Sequence, residues 1–475
     1  MKSLFAALAV LSILTSCVPE EVVSREANTE MPEDFITLGE YPDSLNTAHV
    51  NWREYFQDPK LVALIDTALV HNQELNITMQ GIRIFNNDIR ARRGAYMPFV
   101  DLDAGASAYK SGRYTLEGAT ENGVPIESGR SNPDPIPSFD LGLISTWEID
   151  IWNKLHDAKD AAVAEYLASV EGKNFMVTNL ISEIASSYYE LLALDNQLAI
   201  LEQNIEIQSN ALRIVRLQKQ NTYVTELAVR KFEAEVLHTK SLKFDIQQKI
   251  TETENKINFL LGRYPQPIDR EQSEFEPIQT DSIFAGTPSD LLSNRPDIRK
   301  AELELMAADL NVNVARKNFY PSLKLSAGFG YQAYQPGLMF TSPESMMYNL
   351  AGGLTAPLFN RRDLTAQYYN SNARQIQAVL EYEKTILNAY MEVNNQLAMI
   401  QNMKQSLELQ DQEVQALTSS IEIANDLFKS ARADYMEVLL TQRDALKSRF
   451  ERVETKKNLM IATVNIYRSL GGGWE

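Results

Sequence analysis

The residues that could do chemistry are few and scattered. The four histidines, His49, His71, His156 and His238, stand far apart, and none has metal-ligand spacing to another histidine or to a carboxylate cluster. There is no glycine loop of the kind that cradles phosphate and no nucleophile elbow. Fourteen methionines include the pair Met346-Met347 and Met399 with Met403. A copper relay would use such thioethers, but methionine at helical spacing ordinarily fills core. Acid pairs such as Glu20-Glu21 read as solvated surface. The pattern argues against an enzyme, against a bound metal and against a resident cofactor.

One cysteine, Cys17, is the exception. Lys2 and an apolar run, FAALAVLSILTS, precede it, which is the form of a short secretory signal over residues 1–16. Leu14-Thr15-Ser16-Cys17 has the pattern of a bacterial lipobox, in which the cysteine is acylated and becomes the mature N-terminus. The alternative is ordinary cleavage beside a chance cysteine. Val18 follows, not aspartate, as in lipoproteins sent on to the outer membrane. The absence of other cysteines fits an exported protein without disulfides. Residues 17–50 then read as a lipidated, extended tether.

The rest of the 475-residue chain is ordered in composition: 44% hydrophobic and 23% charged. Its net charge of −18 excludes the basic footprint that nucleic acid needs. No run of 18 apolar residues exists outside the N-terminus, so no spanning helix is expected. Order begins near Asn51. Asp58-Pro59 opens a helix, with Asp as cap and Pro in the first turn. Leu61, Leu64, Ile65, Ala68 and Leu69 share a face, and the helical pattern runs to about Ala95.

The period then changes to two. Val100, Leu102, Ala104, Ala106 and Ala108 alternate with Asp101, Asp103 and Ser107. After a Gly-, Ser- and Pro-rich loop over 111–137, Phe139, Leu141, Leu143, Trp147 and Ile149 alternate with Asp140, Gly142, Thr146, Glu148 and Asp150. This is a β-hairpin over 98–150. From Ser138 to Tyr264 there is no proline, and between Lys154 and Leu261 only Gly172. Residues 154–217 read as one helix of about 90–100 Å. A break near Asn221-Thr222-Tyr223 sends a second helix back to Leu260-Leu261-Gly262.

A linker, 263–285, is followed by the same plan. Pro321 lies 223 positions after Pro98, and Leu325, Ala327 and Gly328 fall on Leu102, Ala104 and Gly105. The second half has a loop to Asn294-Arg295-Pro296, a helix over 297–319, a hairpin over 321–359 with its loop at 333–346, and a helical hairpin over 360–471 that holds no glycine from Arg361 to Leu470. The two tandem repeats are therefore 51–262 and 286–475.

Four strands per chain, apolar on one side and small or polar on the other, suit a membrane barrel, lipid outside and lumen inside. Four cannot close one, and lipid tolerates no unpaired edge. Three copies would supply twelve. Tyr109, Tyr114, Trp147, Tyr331, Tyr334 and Tyr348 sit near strand ends, where interfacial girdles belong. A soluble sandwich capping the helices would not account for their length. The loops 111–137 and 333–346, away from the helices, then face the exterior, and the helices face the periplasm.

Several stretches together resemble the TolC-like outer membrane factors of tripartite efflux systems, in their lipidated OprM- and CusC-like branch. They are WREYFQDPKLVALIDTALVHNQEL from Trp52, TWEIDIWNKL at 146–155, LLG at 260–262, PSDLLSNRPDIRKAE at 288–302, LTAPLFN at 354–360, AYMEV at 389–393 and the terminal LGGGW. The resemblance covers roughly 50–475. It implies a homotrimer with a twelve-stranded outer-membrane β-barrel continued by a long periplasmic α-helical barrel. Its partners would be a periplasmic membrane-fusion adaptor and an inner-membrane transporter of the RND type. The function implied is a passive exit duct for small molecules. The duct of a type I protein-secretion system and a non-pore structural lipoprotein are the alternatives.

The resemblance also marks sites. The hairpin turns, with Asn221, Thr222, Tyr223, Ala431 and Asp434, become the adaptor contacts. Met436, Leu440 and Arg443, at i, i+4 and i+7, share a helix face that borders the periplasmic aperture in the family. There Leu440, where the family often has an acid, and Met436 would form an apolar constriction that gates by dewetting. Arg443 would pair with an acid of the neighbouring hairpin such as Glu226. The competing reading is that this face packs against the next helix. Two departures stand out: Asn153 replaces the family's glycine at the hairpin exit, and Asn221-Thr222 and Ala431 replace glycines at the turns.

Overall fold

A computed structural model describes residue 22 and residues 25–35, 46–221, 223–270, 285–430 and 432–474. Its elements run α1 (Trp52–Tyr55), α2 (Pro59–His71), α3 (Gln73–Ala95), β1 (Phe99–Tyr109), α4 (Leu116–Gly123), β2 (Ile136–Ile149), α5 (Lys154–Gln220) and α6 (Glu226–Leu260). They continue with α7 (Asp290–Asn294), α8 (Pro296–Lys317), β3 (Ser322–Ala333), β4 (Met346–Thr355), α9 (Arg362–Lys429) and α10 (Tyr435–Ser469). Contacts divide the chain into two compact units that do not follow its two sequence halves. One comprises Met1–Glu26, Arg83–Leu167 and Leu303–Val379; the other comprises Ala27–Ile82, Ala168–Glu302 and Leu380–Glu475.

The first unit is built on one antiparallel sheet in the order β1-β2-β3-β4. Each hairpin pairs with itself, and β2 with β3 unites the two, Leu143 standing opposite Phe329 and Thr146 opposite Ser326. The chain leaves each hairpin through an asparagine in the left-handed region, Asn153 at φ 57° and Asn360 at φ 52°. Asparagine tolerates that conformation better than other side chains, so the replacement of glycine at Asn153 leaves the exit geometry intact. Trp152 secures this exit by donating its indole N–H to the Pro321 carbonyl at 2.8 Å and stacking on Tyr320. The 111–137 stretch, expected as loop, contains α4. Thr115 caps it, its hydroxyl accepting from Gly118 N–H at 3.2 Å.

The second unit holds the main core. Trp52, Phe56, Leu61, Ile65, Tyr188 and Tyr467 are among its buried members. Tyr55 stacks on Tyr467 with centroids 4.2 Å apart and donates its hydroxyl to the Thr463 carbonyl at 2.7 Å. Asp58 serves twice: one carboxylate oxygen caps α2 at Lys60 N–H, and the other accepts from the buried Tyr188 hydroxyl at 2.6 Å. The helical pattern from Pro59, which reads as continuous to Ala95, is broken at Asn72. Its amide oxygen caps the next helix at Leu75 N–H, 2.8 Å, and its Nδ2 donates to the Leu260 carbonyl at 2.9 Å. A tertiary partner 188 residues away thus decides a local break.

Part of the N-terminal stretch is also placed. Within the first unit Val22 N–H donates to the Tyr368 hydroxyl at 3.1 Å and Arg25 accepts from Gln375. Within the second, Asn28 N–H reaches Glu383 and Phe35 stacks on Tyr390 at 5.7 Å. The stretch expected as an extended tether is, over 25–35, held to α9 at these points. Cys17 lies outside the described residues.

Candidate functional site

Two regions bear on function: the sheet and the hairpin turns. Cross-strand register sorts the sheet's faces. Leu102 with Leu143, Leu141 with Tyr331, Leu143 with Phe329, Trp147 with Leu325, and Ala327 with Leu350 share one face. Asp101, Asp103, Asp140, Thr146, Ser326 and Asn349 share the other. The apolar face is open: Leu102 is 72% exposed and Leu350 80%. Exposed apolar area on this scale marks an interface with lipid or protein. Trp147 stands near its helix-side end, its indole donating to the Tyr96 carbonyl at 3.0 Å.

At the turns, α5 and α9 each end in the same hydrogen bond reaching back five residues. Tyr223 N–H donates to Gln218 O at 3.0 Å and Arg432 N–H to Leu427 O at 2.8 Å. The far ends of the hairpins close in the same way, Arg263 to Asn258 and Gly472 to Tyr467, around Gly262 at φ 66° and Gly471 at φ 93°. This is the Schellman closure, in which such a bond satisfies a terminal carbonyl. Thr222 and Ala431, the residues that replace glycine at the tips, lie outside the described residues. The other three predicted tip residues come together: Asn221, Tyr223 and Asp434 line one cleft with Leu217, Phe428 and Tyr435.

The predicted gate residues do not line that cleft. On α10, Val438, Leu439, Gln442, Ala445 and Leu446 are buried, whereas Leu440 is 40% exposed and Arg443 is exposed. The face through Met436, Leu440 and Arg443 therefore points away from the core its own chain forms. The expected pairing of Arg443 with Glu226 is not made within the chain. Arg443 bonds Asp444 instead, and Glu226 is held by Lys219 and Arg230. Sequence proximity explains the first contact. Lys219 and Glu226 flank the same turn and so meet first.

The RPDI motif belongs to a constellation that only the fold assembles. Arg295 of the RPDI stretch is buried, gripping Asp297 through two bonds of 3.0 and 2.7 Å, Glu392 at 2.9 Å and the Ser469 carbonyl at 2.9 Å. Burial works against its charge, but the bonds and charge of Asp297 and then Glu392 outweigh it and raise the guanidinium's pKa above the ordinary value. The terminal GGGW lies against it. A Cβ on Gly471 would stand 2.5 Å from the Asn294 carbonyl, and Trp474 donates to that same carbonyl at 3.3 Å. The two motifs that carry the resemblance are thus one physical joint.

Among the described residues no helix is long and apolar enough to cross a membrane. The sheet's exposed apolar face is a broad surface open to lipid or to another protein. The outer membrane efflux protein family model matches residues 64–263 and 287–472. The chain belongs to that family: it is an outer-membrane efflux protein that extends into the periplasm. It is 28% identical over 424 residues to the pyoverdine export outer membrane protein OpmQ of Pseudomonas aeruginosa, covering 89% of this chain and 87% of OpmQ. It is 25% identical to the probable outer membrane lipoprotein SilC of Salmonella typhimurium, covering 98% of each. Its fold matches the open state of the Neisseria gonorrhoeae MtrE outer membrane channel with a TM-score of 0.82 at 22% identity, covering 96% of this chain and 98% of that one.

Proposed function

We propose that three copies of this chain close a single twelve-stranded barrel that is continued by a periplasmic helical barrel, and that this trimer is the passive exit duct of a tripartite efflux pump. One observation carries the reading. The sheet has two free edges, β1 and β4, and apolar residues exposed on one face. Free edges are not tolerated in lipid, and three four-stranded sheets joined edge to edge remove all of them. The strands, 10 to 14 residues long, suffice to cross a hydrocarbon core. The matching hairpin exits at Asn153 and Asn360 and the matching closures at Gly262 and Gly471 support two tandem repeats per chain.

The duct performs no chemistry. A periplasmic adaptor docks at the tips, at Asn221, Thr222, Tyr223, Ala431 and Asp434. An inner-membrane transporter of RND type supplies the energy, and small molecules are the cargo. Met436, Leu440 and Arg443 border the aperture, Leu440 and Met436 narrowing it by an apolar ring. Cys17 carries the lipid. Support comes from the N-terminal stretch: Val22 is held at Tyr368, and the five residue steps from Cys17 to Val22 span at most about 18 Å, so an acyl chain on Cys17 stays close to the start of α9. SilC, a probable outer membrane lipoprotein, points the same way.

The decisive test is conductance of the purified trimer in planar bilayers. Channel activity is expected, and its absence under every condition would end the duct reading. Mass spectrometry of the mature N-terminus should find diacylglycerol on Cys17; an unmodified cysteine refutes the anchor.

A further inference from the structure

The tips of the helical hairpins form a hydrophobic block of their own. Leu212 and Val215 of α5, Val229 and Phe232 of α6, and Leu439 of α10 bury one another there. A second block, Leu194 and Leu201 of α5, Ile246 of α6 and Leu446 of α10, lies further along the same helices. Between the two blocks all three helices turn polar. α5 carries Asn204 and Gln208 in that interval, α6 carries Thr239 and α10 carries Gln442. All four are buried, Gln208 at 1% exposure and Gln442 at 2%. Since the flanking residues of the three helices share clusters on either side, these side chains occupy one layer.

Thr239 satisfies its hydroxyl on its own helix, donating to the Glu235 carbonyl at 3.0 Å. The rest of the layer is unsatisfied. Both amide atoms of Gln208, both of Gln442 and Oδ1 of Asn204 have no partner among the described residues. Buried amides without partners are costly, and apolar side chains of the same shape would pack there at less expense. The layer is therefore a plane of weak cohesion between two well-packed blocks. It lies 12 residues before the end of α5 at Gln220, about 18 Å from the turn.

We propose that this polar layer is the pivot on which the tip block swings when the duct opens. The block keeps its own packing as it moves. The layer gives up little when its helices slide, because it makes no strong contacts in the arrangement seen here. This rests on the duct reading, with its aperture at the tips.

The test replaces both amides by apolar side chains of similar length, Gln208→Met with Gln442→Met, in the full-length trimer. Thermal stability should rise, and openings in planar bilayers should become at least about tenfold rarer. Unchanged opening with raised stability overturns the pivot. So does lowered stability, which would show the amides paired in the assembled protein and setting helix register instead. Ser187→Ala, at another buried and unpartnered position on α5, is the control. If it suppresses opening equally, the effect is general stiffening and the pivot is wrong. Hydrogen exchange of the wild-type protein separates this inference from the duct itself. Amides at 202–210 and 440–448 should exchange about tenfold faster than those of the flanking blocks, whether or not the protein conducts. Uniform protection across the three regions overturns the pivot by itself.

Discussion

The tip of the first helical hairpin carries charge in quantity. Lys219 bonds Glu226, Arg230 bonds Glu226 and Glu233 at 2.9 Å each, and Arg216 bonds Glu233 at 3.0 Å. This network ties α5 to α6 across the turn. Thr225 caps α6 by accepting from Ala228 N–H at 3.3 Å. The tip of the second hairpin has none of this among the described residues. Asp434 makes no side-chain cap to α10. Asp426 with Lys429 stays within α9, and Arg443 with Asp444 stays within α10. Among the described residues, the side-chain bonds of α10 arginines to α9 begin further up, at Arg449 with the Thr418 hydroxyl and Arg452 with Asp411.

At the opposite end the two hairpins differ again. The first closes on a neutral side chain, Asn72, which donates to the Leu260 carbonyl. The second closes on Arg295, which donates to the Ser469 carbonyl at the matching place and binds two carboxylates as well. Arg270 also binds Asp195 of α5 and Glu254 of α6, so the first half is fastened ionically at its tip and towards its base, the second at its base and not at its tip among the described residues. Buried and networked charges hold firmly, while single exposed pairs hold little. The comparison teaches that the second hairpin is anchored at its base and loose at its tip, which suits the element that moves in a gate.

The largest expected effect lies at the bases. Arg295→Ala leaves a buried carbonyl and the half-buried Asp297 without their partner, and should cost about 3 kcal/mol, the upper end for unpartnered polar groups. Asn72→Ala leaves one carbonyl and one helix start unsatisfied, and should cost about 1–3 kcal/mol. Thermal and denaturant unfolding of the purified protein measures both. Equal losses would show that charge contributes nothing to the second base, and the contrast would fall.

A smaller effect, on transport more than on stability, belongs to the second tip. Leu440→Ser exposes no core and should leave stability within about 0.5 kcal/mol, yet wet the aperture. Conductance in bilayers and vancomycin uptake by cells should rise several-fold. Lys231 occupies the matching exposed position of the first hairpin, 209 residues earlier as Gly262 is to Gly471. Lys231→Ser should change neither readout. If the lysine variant leaks and the leucine variant does not, the gate belongs to the first tip.

Much of this frame was legible before any coordinates. Alternation through Leu102, Leu143 and Phe329 reports a sheet with one apolar face, because side-chain direction in a strand depends only on parity. The absence of proline and glycine reports the long helices. The turn at Asn221 follows from a polar break, and the one near Asp434 from the resemblance. Other features were hidden because they are tertiary. Nothing in the Leu61 to Leu69 pattern marks Asn72 as a break; its partner carbonyl lies 188 residues away. The RPDI motif was visible, but Arg295 meets Glu392 and Ser469 only in the fold, 97 and 174 residues on. Helix α4 is obscured by the Gly- and Asn-rich composition of its surroundings. Gln208 and Gln442 read as ordinary polar positions of amphipathic helices until both prove buried.

The smallest effect concerns the ionic network at the first tip, and it has a sign in pH. The hydrogen bond and charge of Lys219, and then those of Arg230, hold the Glu226 carboxyl below the usual glutamate value. A depressed carboxylate contributes its stabilisation above the unfolded value, about 4.3, and loses it as pH falls through the folded value. The first tip should therefore stay fastened at neutral pH and loosen under acid, whereas the second tip has, among the described residues, no ion pair across its turn to lose. Because every partner is exposed, about 1 M salt should act in the same direction at neutral pH by screening the pairs. Glu226→Gln should reproduce the acid state without acid. Spin labels replacing Tyr223 and Arg432 report the two tips separately. Greater mobility is expected at position 223 alone, under acid, under salt and in the Glu226→Gln variant. A matching change at position 432 would mean that the two tips move as one body, and the network at the first would then be fastening both.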